Sequence, residues 1–343
     1  MSSGVPSPAF GASSRAGGRG AGTPRAGQRE GSSWLAAALD AGPVRGALQP
    51  RQSFADFIWF RCGGAAEVMF RPSNTSDLRD YLSRLPGGVP LMAVGVGSNL
   101  IIRDGGVPGV TVRLSKAFAG VRVEGRRVTA GAGAMGITVA TAARDAGLAG
   151  AEFLRGIPGT IGGVVAMNAG AYGREIADIL VSATLVTRDG RIERLTCEDL
   201  RYSYRHSELP RGSVVVEAEL KLVDGDPAGI QAEMDRIATE REASQPLRTR
   251  TGGSTFKNPS ERKAWQLIDD AGCRGLRRGG AQVSEKHCNF LLALDGCTSA
   301  DLEALGEDVR ARVAAQSGVR LEWEIARVGD PVPSQAELGG ELP

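Results

Sequence analysis

Gly156-Ile157-Pro158-Gly159-Thr160-Ile161-Gly162-Gly163, followed three residues later by Met167-Asn168-Ala169-Gly170-Ala171-Tyr172-Gly173, is the segment on which the reading of this chain turns. Two glycine-dense turns flank a short apolar stretch. Core packing does not call for so many positions without side chains within eighteen residues. Glycine allows positive φ and lets the backbone approach another surface closely. A flat or phosphorylated cofactor laid against the backbone accounts for the pattern, and a set of ordinary tight turns is the plain alternative. The bias extends beyond this segment, because 48 of the 343 residues are glycine, roughly twice the usual share.

Upstream, Val94-Gly95-Val96-Gly97-Ser98-Asn99-Leu100-Ile101-Ile102 reads as a strand, a glycine turn and a second apolar strand. Consecutive backbone N–H groups in such a turn can form an anion-binding nest, and the residues alone fit an ordinary hairpin as well. It is not a dinucleotide fingerprint, since GxGxxG is absent and no helix follows. Short apolar runs at 66–70, 91–94, 109–112, 121–123, 180–186 and 213–222 predict strands. Asn74-Thr75-Ser76 caps an expected helix carrying Leu78, Tyr81 and Leu82. The alanine-rich stretch 136–146 reads as a second helix, stopped by Gly147. Strands and helices mixed in this way predict an α+β fold.

Downstream, Asp226-Pro227 is an N-cap followed by proline at the first helical position, with Ile230, Met234 and Ile237 on one face. This helix is expected to open a second domain. A last helix from about Ser299 places Leu302, Leu305, Val309 and Val313 on one stripe and ends before Gly318. A strand is expected at 320–325, where alternation would put Glu322 and Glu324 on one face. Three polar groupings could carry chemistry. Tyr204-Arg205-His206-Ser207 offers an arginine for a carboxylate or a snorkelling surface residue. Thr251-Gly252-Gly253-Ser254-Thr255-Phe256-Lys257-Asn258-Pro259 sets a serine, a lysine and an asparagine around a tight turn, or is simply a Gly-Gly turn. The Glu322/Glu324 pair is a third, with a solvated strand edge as its plain reading.

Composition narrows the classes. A net charge of +2 gives no field that would gather nucleic acid or an anionic membrane. The five cysteines form no CxxC, which argues against a disulfide framework or a zinc site. The two histidines exclude a multi-histidine metal centre. No apolar run is long enough to span a bilayer. Residues 1–32, rich in Gly, Ser, Ala, Pro and Arg, are expected to be a disordered tail, and 331–343 a flexible C-terminus. A cytoplasmic monomer is expected.

Taken together, eight segments resemble the UDP-N-acetylenolpyruvoylglucosamine reductase family in that family's order. They are Arg61-Cys62-Gly63-Gly64, the 95–99 turn, Gly156-Ile157-Pro158-Gly159, Asn168-Ala169-Gly170-Ala171-Tyr172-Gly173, Tyr204-Arg205-His206-Ser207, Gly253 to Pro259, Gly279-Gly280-Ala281-Gln282-Val283-Ser284, and Glu322-Trp323-Glu324-Ile325. The resemblance spans roughly residues 50–330. It implies a FAD-binding domain of the vanillyl-alcohol-oxidase type over 33–225, followed by a smaller α+β substrate-binding domain over 226–330. It also implies a nucleotide-sugar substrate, NADPH as electron donor and FAD held without a covalent bond. Gly95, Val96, Gly97, Ser98 and Asn99 would hold the FAD pyrophosphate. Gly156, Ile157, Pro158, Gly159, Asn168, Gly170 and Ala171 would lie against the flavin. Ser254 would be the general acid, with Arg205 and Glu324 as the other catalytic residues. Tyr204, Arg241, Lys257, Asn258 and Gln282 would bind substrate. The short Asn-Ala-Gly-Ala-Tyr-Gly form resembles the subtype without the long tyrosine-bearing substrate loop. Ser244 stands where many relatives have lysine, so Arg241 is read as the diphosphate contact instead. Two rival functions fit parts of the same pattern: a flavin oxidase on the same FAD fold, and a non-catalytic sugar-nucleotide binding protein.

Overall fold

The computed structural model describes residues 33–332. The expected tail at 1–32, and all but the first two residues of the expected flexible C-terminus, lie outside the described residues. Three sheets carry the fold. The first has the strand order Ala47–Ser53, Ala65–Arg71, Val107–Arg113, Leu91–Val94. Its first pair is antiparallel and the other two pairs are parallel. The helix Thr75–Arg84 covers it, capped by the Asn74 side chain, which accepts from Asp77 N–H. Leu78, Tyr81 and Leu82 enter the core from that helix, as their spacing predicted. The strand Ala47–Ser53 and a helix at Ser33–Leu39 were not legible in the sequence. That strand lies on the sheet edge, is polar and holds Pro50, so it shows neither apolar alternation nor strand composition.

The second sheet is antiparallel, in the order Ile192–Thr196, Leu180–Val186, Val214–Lys221, Arg127–Gly131, Val121–Glu124. Ala130, Ala183 and Ala218 lie in one buried cluster with Val139, Ala140 and Ala143 of the helix Gly136–Asp145. Small residues on both surfaces let the helix lie close to the sheet. The helix Pro227–Ser244 is capped by Asp226 as expected. Its Ile230 and Met234, however, pack into this second-sheet cluster. The helix expected to open the second domain therefore shares its core with the preceding region.

The C-terminal sheet has the order Thr251–Ser254, Phe290–Ala293, Ala281–Val283, Arg277–Arg278. The helices Ala264–Asp270 and Ser299–Ser317 cover it, and Leu302, Leu305, Val309 and Val313 supply one stripe of its core. Gly318 ends the last helix in the left-handed conformation.

Two expectations fail here, and both failures position the site. The strands flanking the 95–99 turn do not form a hairpin. Leu91–Val94 pairs with Val107–Arg113, while Leu100–Ile102 pairs in parallel with Ala326–Val328. The strand expected at 320–325 is absent: this stretch makes a single bridge at Trp323, and the regular strand begins only at Ala326–Val328. The Trp323 ring packs where a Cβ on Gly306 would stand, 2.1 Å from that position, and Trp323 meets Phe256 in a single bridge. Tertiary packing thus overrides the alternation. Glu322 and Glu324 do not share an environment, since the first side chain is 76% exposed and the second 14%. No helix among the described residues is long and apolar enough to cross a membrane, and no described cluster of His, Cys, Asp and Glu could hold a metal.

Candidate active site

A cavity of about 490 Å³ lies where the glycine turns converge. Residues 95–99 form one side of it, and Gly156, Ile157, Pro158, Gly159, Gly170 and Ala171 contribute to its wall. Ser98 Oγ donates to Pro158 O at 2.8 Å and ties the two turns together. Asn99 Nδ2 donates to Glu324 O at 3.2 Å, and Ala326 N–H donates to Asn99 O at 3.1 Å. The 95–99 turn therefore anchors the segment that carries Glu324.

The glycines are bare for two different reasons. A Cβ on Gly95 would stand 2.3 Å from Thr160 Oγ1, one on Gly97 2.5 Å from Ile58, one on Gly156 2.6 Å from the Tyr172 ring, and one on Gly170 2.5 Å from Arg174 O. Protein fills those spaces, so packing does explain part of the pattern, contrary to the sequence reading. Gly163 and Gly253 differ. Both line the cavity, and a Cβ on either would meet nothing within 4 Å. Among the described residues, no protein group accepts from the N–H of Val96, Gly97, Ser98 or Asn99. A cavity with open glycines and a run of unpaired backbone donors fits a flat, diphosphate-bearing group such as FAD.

Three side chains with chemical potential meet on this cavity: Arg205, Ser254 and Glu324. Arg205 sits in the turn 203–206, where Ser203 and His206 exchange backbone hydrogen bonds at 3.1 Å. Its φ is 57°, a conformation that costs a non-glycine residue about 1–3 kcal/mol and persists only where the surroundings impose it. They do so here, since Asn168 Nδ2 donates to Ser203 O at 3.1 Å and Ser207 Oγ to Ala166 O at 2.7 Å. Arg205 Nε donates to Glu324 Oε1 at 2.8 Å, and Nη2 to Gly170 O at 3.0 Å. The two side chains are 20% and 14% exposed. Ser254 ends the strand Thr251–Ser254, and among the described residues nothing hydrogen-bonds its hydroxyl.

Arg241 reaches the cavity from the last turn of the helix Pro227–Ser244. Its Nε donates to Gln245 Oε1 at 3.2 Å, and among the described residues it has no acidic partner. Burial holds its pKa below the ordinary arginine value; Tyr172 opposes that shift and the nearby Arg155 adds to it.

The remaining sequence candidates do not line the cavity. Asn168 is fully buried behind the wall, where its Oδ1 also accepts from Ala177 N–H at 3.2 Å. Tyr204 is exposed, with the Arg205 guanidinium 5.1 Å from its ring centre. Lys257 pairs with Glu322 at 3.7 Å. Asn258 Oδ1 accepts from Ala264 N–H at 3.0 Å at the start of a helix. Gln282 is buried in the C-terminal sheet and accepts from Arg277 at 3.4 Å. Sequence reading also passed over Gln245 and Thr160; neither carries a local signal, because each is defined by its partner.

Comparison with known proteins agrees with this geometry. Residues 66–196 match the FAD binding domain family model. Residues 245–328 match the model for the UDP-N-acetylenolpyruvoylglucosamine reductase C-terminal domain. The chain is 59% identical to the UDP-N-acetylenolpyruvoylglucosamine reductase of Erythrobacter litoralis over 87% of its own length and 92% of that protein's. The chain belongs to the UDP-N-acetylenolpyruvoylglucosamine reductase family. The Rhizorhabdus wittichii reductase of the family is 60% identical over 84% of this chain and 94% of its own. The crystal structure of the Thermus caldophilus UDP-N-acetylenolpyruvylglucosamine reductase aligns with a TM-score of 0.72 at 33% identity. That match covers 82% of this chain and 99% of the Thermus chain. The family's two-part organisation, a FAD-binding domain and a reductase C-terminal domain, is therefore the organisation of this molecule.

Proposed function

We propose that the chain is a NADPH-dependent flavoenzyme that reduces the enolpyruvyl ether of UDP-N-acetylglucosamine to the lactyl ether, giving UDP-N-acetylmuramate. The observation that carries the reading is the meeting of Arg205, Glu324 and Ser254 on one cavity with open glycines and unpaired backbone donors. The N–H groups of residues 96–99 would hold the FAD diphosphate, and Gly163 and Gly253 would leave room for the flavin. Bound there without a covalent link, FAD would supply the hydride, with NADPH as the electron donor.

The residues of the chain do the rest. Hydride arriving at C3 of the enolpyruvyl group leaves negative charge at C2, spread into the substrate carboxylate. Arg205 offsets that charge from a fixed position, which is worth more in a dry site than in water. Glu324 and Gly170 O hold its guanidinium at Nε and Nη2, which leaves Nη1 to engage the carboxylate. Ser254 donates the proton to C2, and Glu324 is the second group placed to relay it. Arg241, charged and without an acidic partner among the described residues, takes the substrate diphosphate. Tyr204, Lys257 and Asn258 contact the part of the substrate beyond the cavity, and Gln282 joins this set by resemblance. The product enters peptidoglycan synthesis, which ties the enzyme to cell-wall growth, shape and division. It acts in the cytoplasm as a monomer.

The test is NADPH oxidation by the yellow protein in air, with oxygen uptake followed, with and without the enolpyruvyl sugar. Sustained turnover only with the sugar is expected, and acid precipitation should release the chromophore. Oxygen consumption without the sugar would mark a flavin oxidase instead, and no reaction with NADPH would mark a binding protein.

A further inference from the structure

Asn289 lies just before the strand Phe290–Ala293 and is only 4% exposed. Its side-chain amide pairs with the backbone of a single residue. Phe256 N–H donates to Asn289 Oδ1 at 3.0 Å, and Asn289 Nδ2 donates to Phe256 O at 2.8 Å. The Asn289 carbonyl accepts from Thr255 N–H at 2.8 Å. These bonds hold the two residues that follow Ser254.

Regular pairing cannot do this, because the ladder between Thr251–Ser254 and Phe290–Ala293 already shifts register between Thr251 and Ser254. The amide supplies the bonds a continued ladder would have made. The same two residues hold Glu324 on their other side: Thr255 O accepts from Glu324 N–H at 2.8 Å, and Phe256 bridges Trp323. Asn289 is itself fixed, since its N–H donates to His287 Nδ1 at 3.3 Å. Replacing it with an apolar residue would strand a buried donor and acceptor on Phe256.

We propose that Asn289 is a positioning residue, which sets the Ser254 hydroxyl against the Arg205–Glu324 pair so that the proton reaches the substrate carbon. The proposal rests on Ser254 being the proton donor.

Asn289→Asp keeps the shape but turns a second acceptor toward Phe256 O. Misplacement of a catalytic group by about 1 Å can cost about 10²-fold. Re-oxidation of the reduced flavin by the enolpyruvyl sugar should slow by about that factor. Reduction by NADPH should stay within about twofold of normal. In a Ser254→Ala background the same change should add less than about threefold, because it acts through a group already gone. Hydrogen exchange gives a readout apart from turnover. In Asn289→Ala the amides of Thr255 and Phe256 should exchange faster, and those of Ala281–Val283 should not change.

Equal slowing of both half-reactions would overturn the proposal, as would loss of flavin from both Asn289 variants. If Ser254→Ala alone leaves re-oxidation intact, the serine assignment falls and this proposal with it. If Ser254→Ala slows re-oxidation and the Asn289→Asp loss adds to it in full, only this proposal falls.

Discussion

Arg205 and Arg241 both reach the cavity, and they are held in opposite ways. Arg205 is ion-paired to Glu324 and bonded to a carbonyl, in a backbone conformation that its neighbours impose. Arg241 is half-buried with a glutamine for company and a second guanidinium, Arg155, nearby. A charge already paired and aimed is suited to stabilising charge that appears during reaction, since no reorganisation is needed when it appears. A charge left unpaired in a buried place lowers stability until an anion arrives. On the proposed function, one arginine serves the chemistry and the other captures the substrate.

The comparison breaks most sharply at Arg205→Lys. Lysine keeps the charge but loses the planar fork that engages Glu324 and Gly170 O together. Losing one preorganised donor typically costs about 10²–10³-fold in turnover. That loss is expected in single-turnover re-oxidation, with the protein still yellow. Near-normal rates would place Arg205 outside the chemistry.

Gly156→Ala tests the wall of the cavity that both arginines reach. The new methyl group would stand 2.6 Å from the Tyr172 ring, and overpacking of this kind costs about 1–3 kcal/mol. Gly163→Ala places its methyl group in open cavity, so folding should be unharmed while flavin affinity falls. Thermal melts of the flavin-free proteins and flavin titrations should separate the two. A Gly163→Ala protein that binds flavin normally would remove that glycine from the cofactor site.

Arg241→Gln should do the reverse of Arg205→Lys. Substrate KM should rise about tenfold, the worth of one charged hydrogen bond, with the limiting rate little changed. The ligand-free protein should melt no lower, and up to about 2 °C higher, because an unpaired, half-buried charge has gone. A fall in both melting temperature and rate would make Arg241 structural.

Lys257→Ala should change least. Its partner Glu322 is mostly exposed, and such pairs are worth less than about 1 kcal/mol. Urea melts should barely move. Any effect should appear in KM, and a large fall in kcat would bring Lys257 into the chemistry.

Local chemistry was legible in the sequence. Asn74, Asp226 and Gly318 mark helix ends because capping depends on a few neighbouring residues. The strand Leu180–Val186 was readable from its apolar run. Residues 320–325 misled because Leu321, Trp323 and Ile325 alternate as in a strand, while a glycine far back on a helix, Gly306, decides where the tryptophan goes. The glycine turns were recognisable, but not the reason for each glycine. Whether protein or ligand fills the space beside a missing side chain depends on partners such as Ile58 and Tyr172, which no local pattern reveals. Arg205, Ser254 and Glu324 were found through motif resemblance, and the cavity brings them together. Asn289 was invisible, because its role lies wholly in the backbone it holds.

The central claim is that Ser254 delivers the proton within a site otherwise complete without it. Stopped-flow absorbance of Ser254→Ala at the oxidised flavin band tests this directly. The account predicts that bleaching by NADPH proceeds at close to the normal rate, while re-oxidation by the enolpyruvyl sugar slows by about 10²–10⁴-fold, the usual worth of general acid catalysis. Equal slowing of both phases, or of neither, would contradict it.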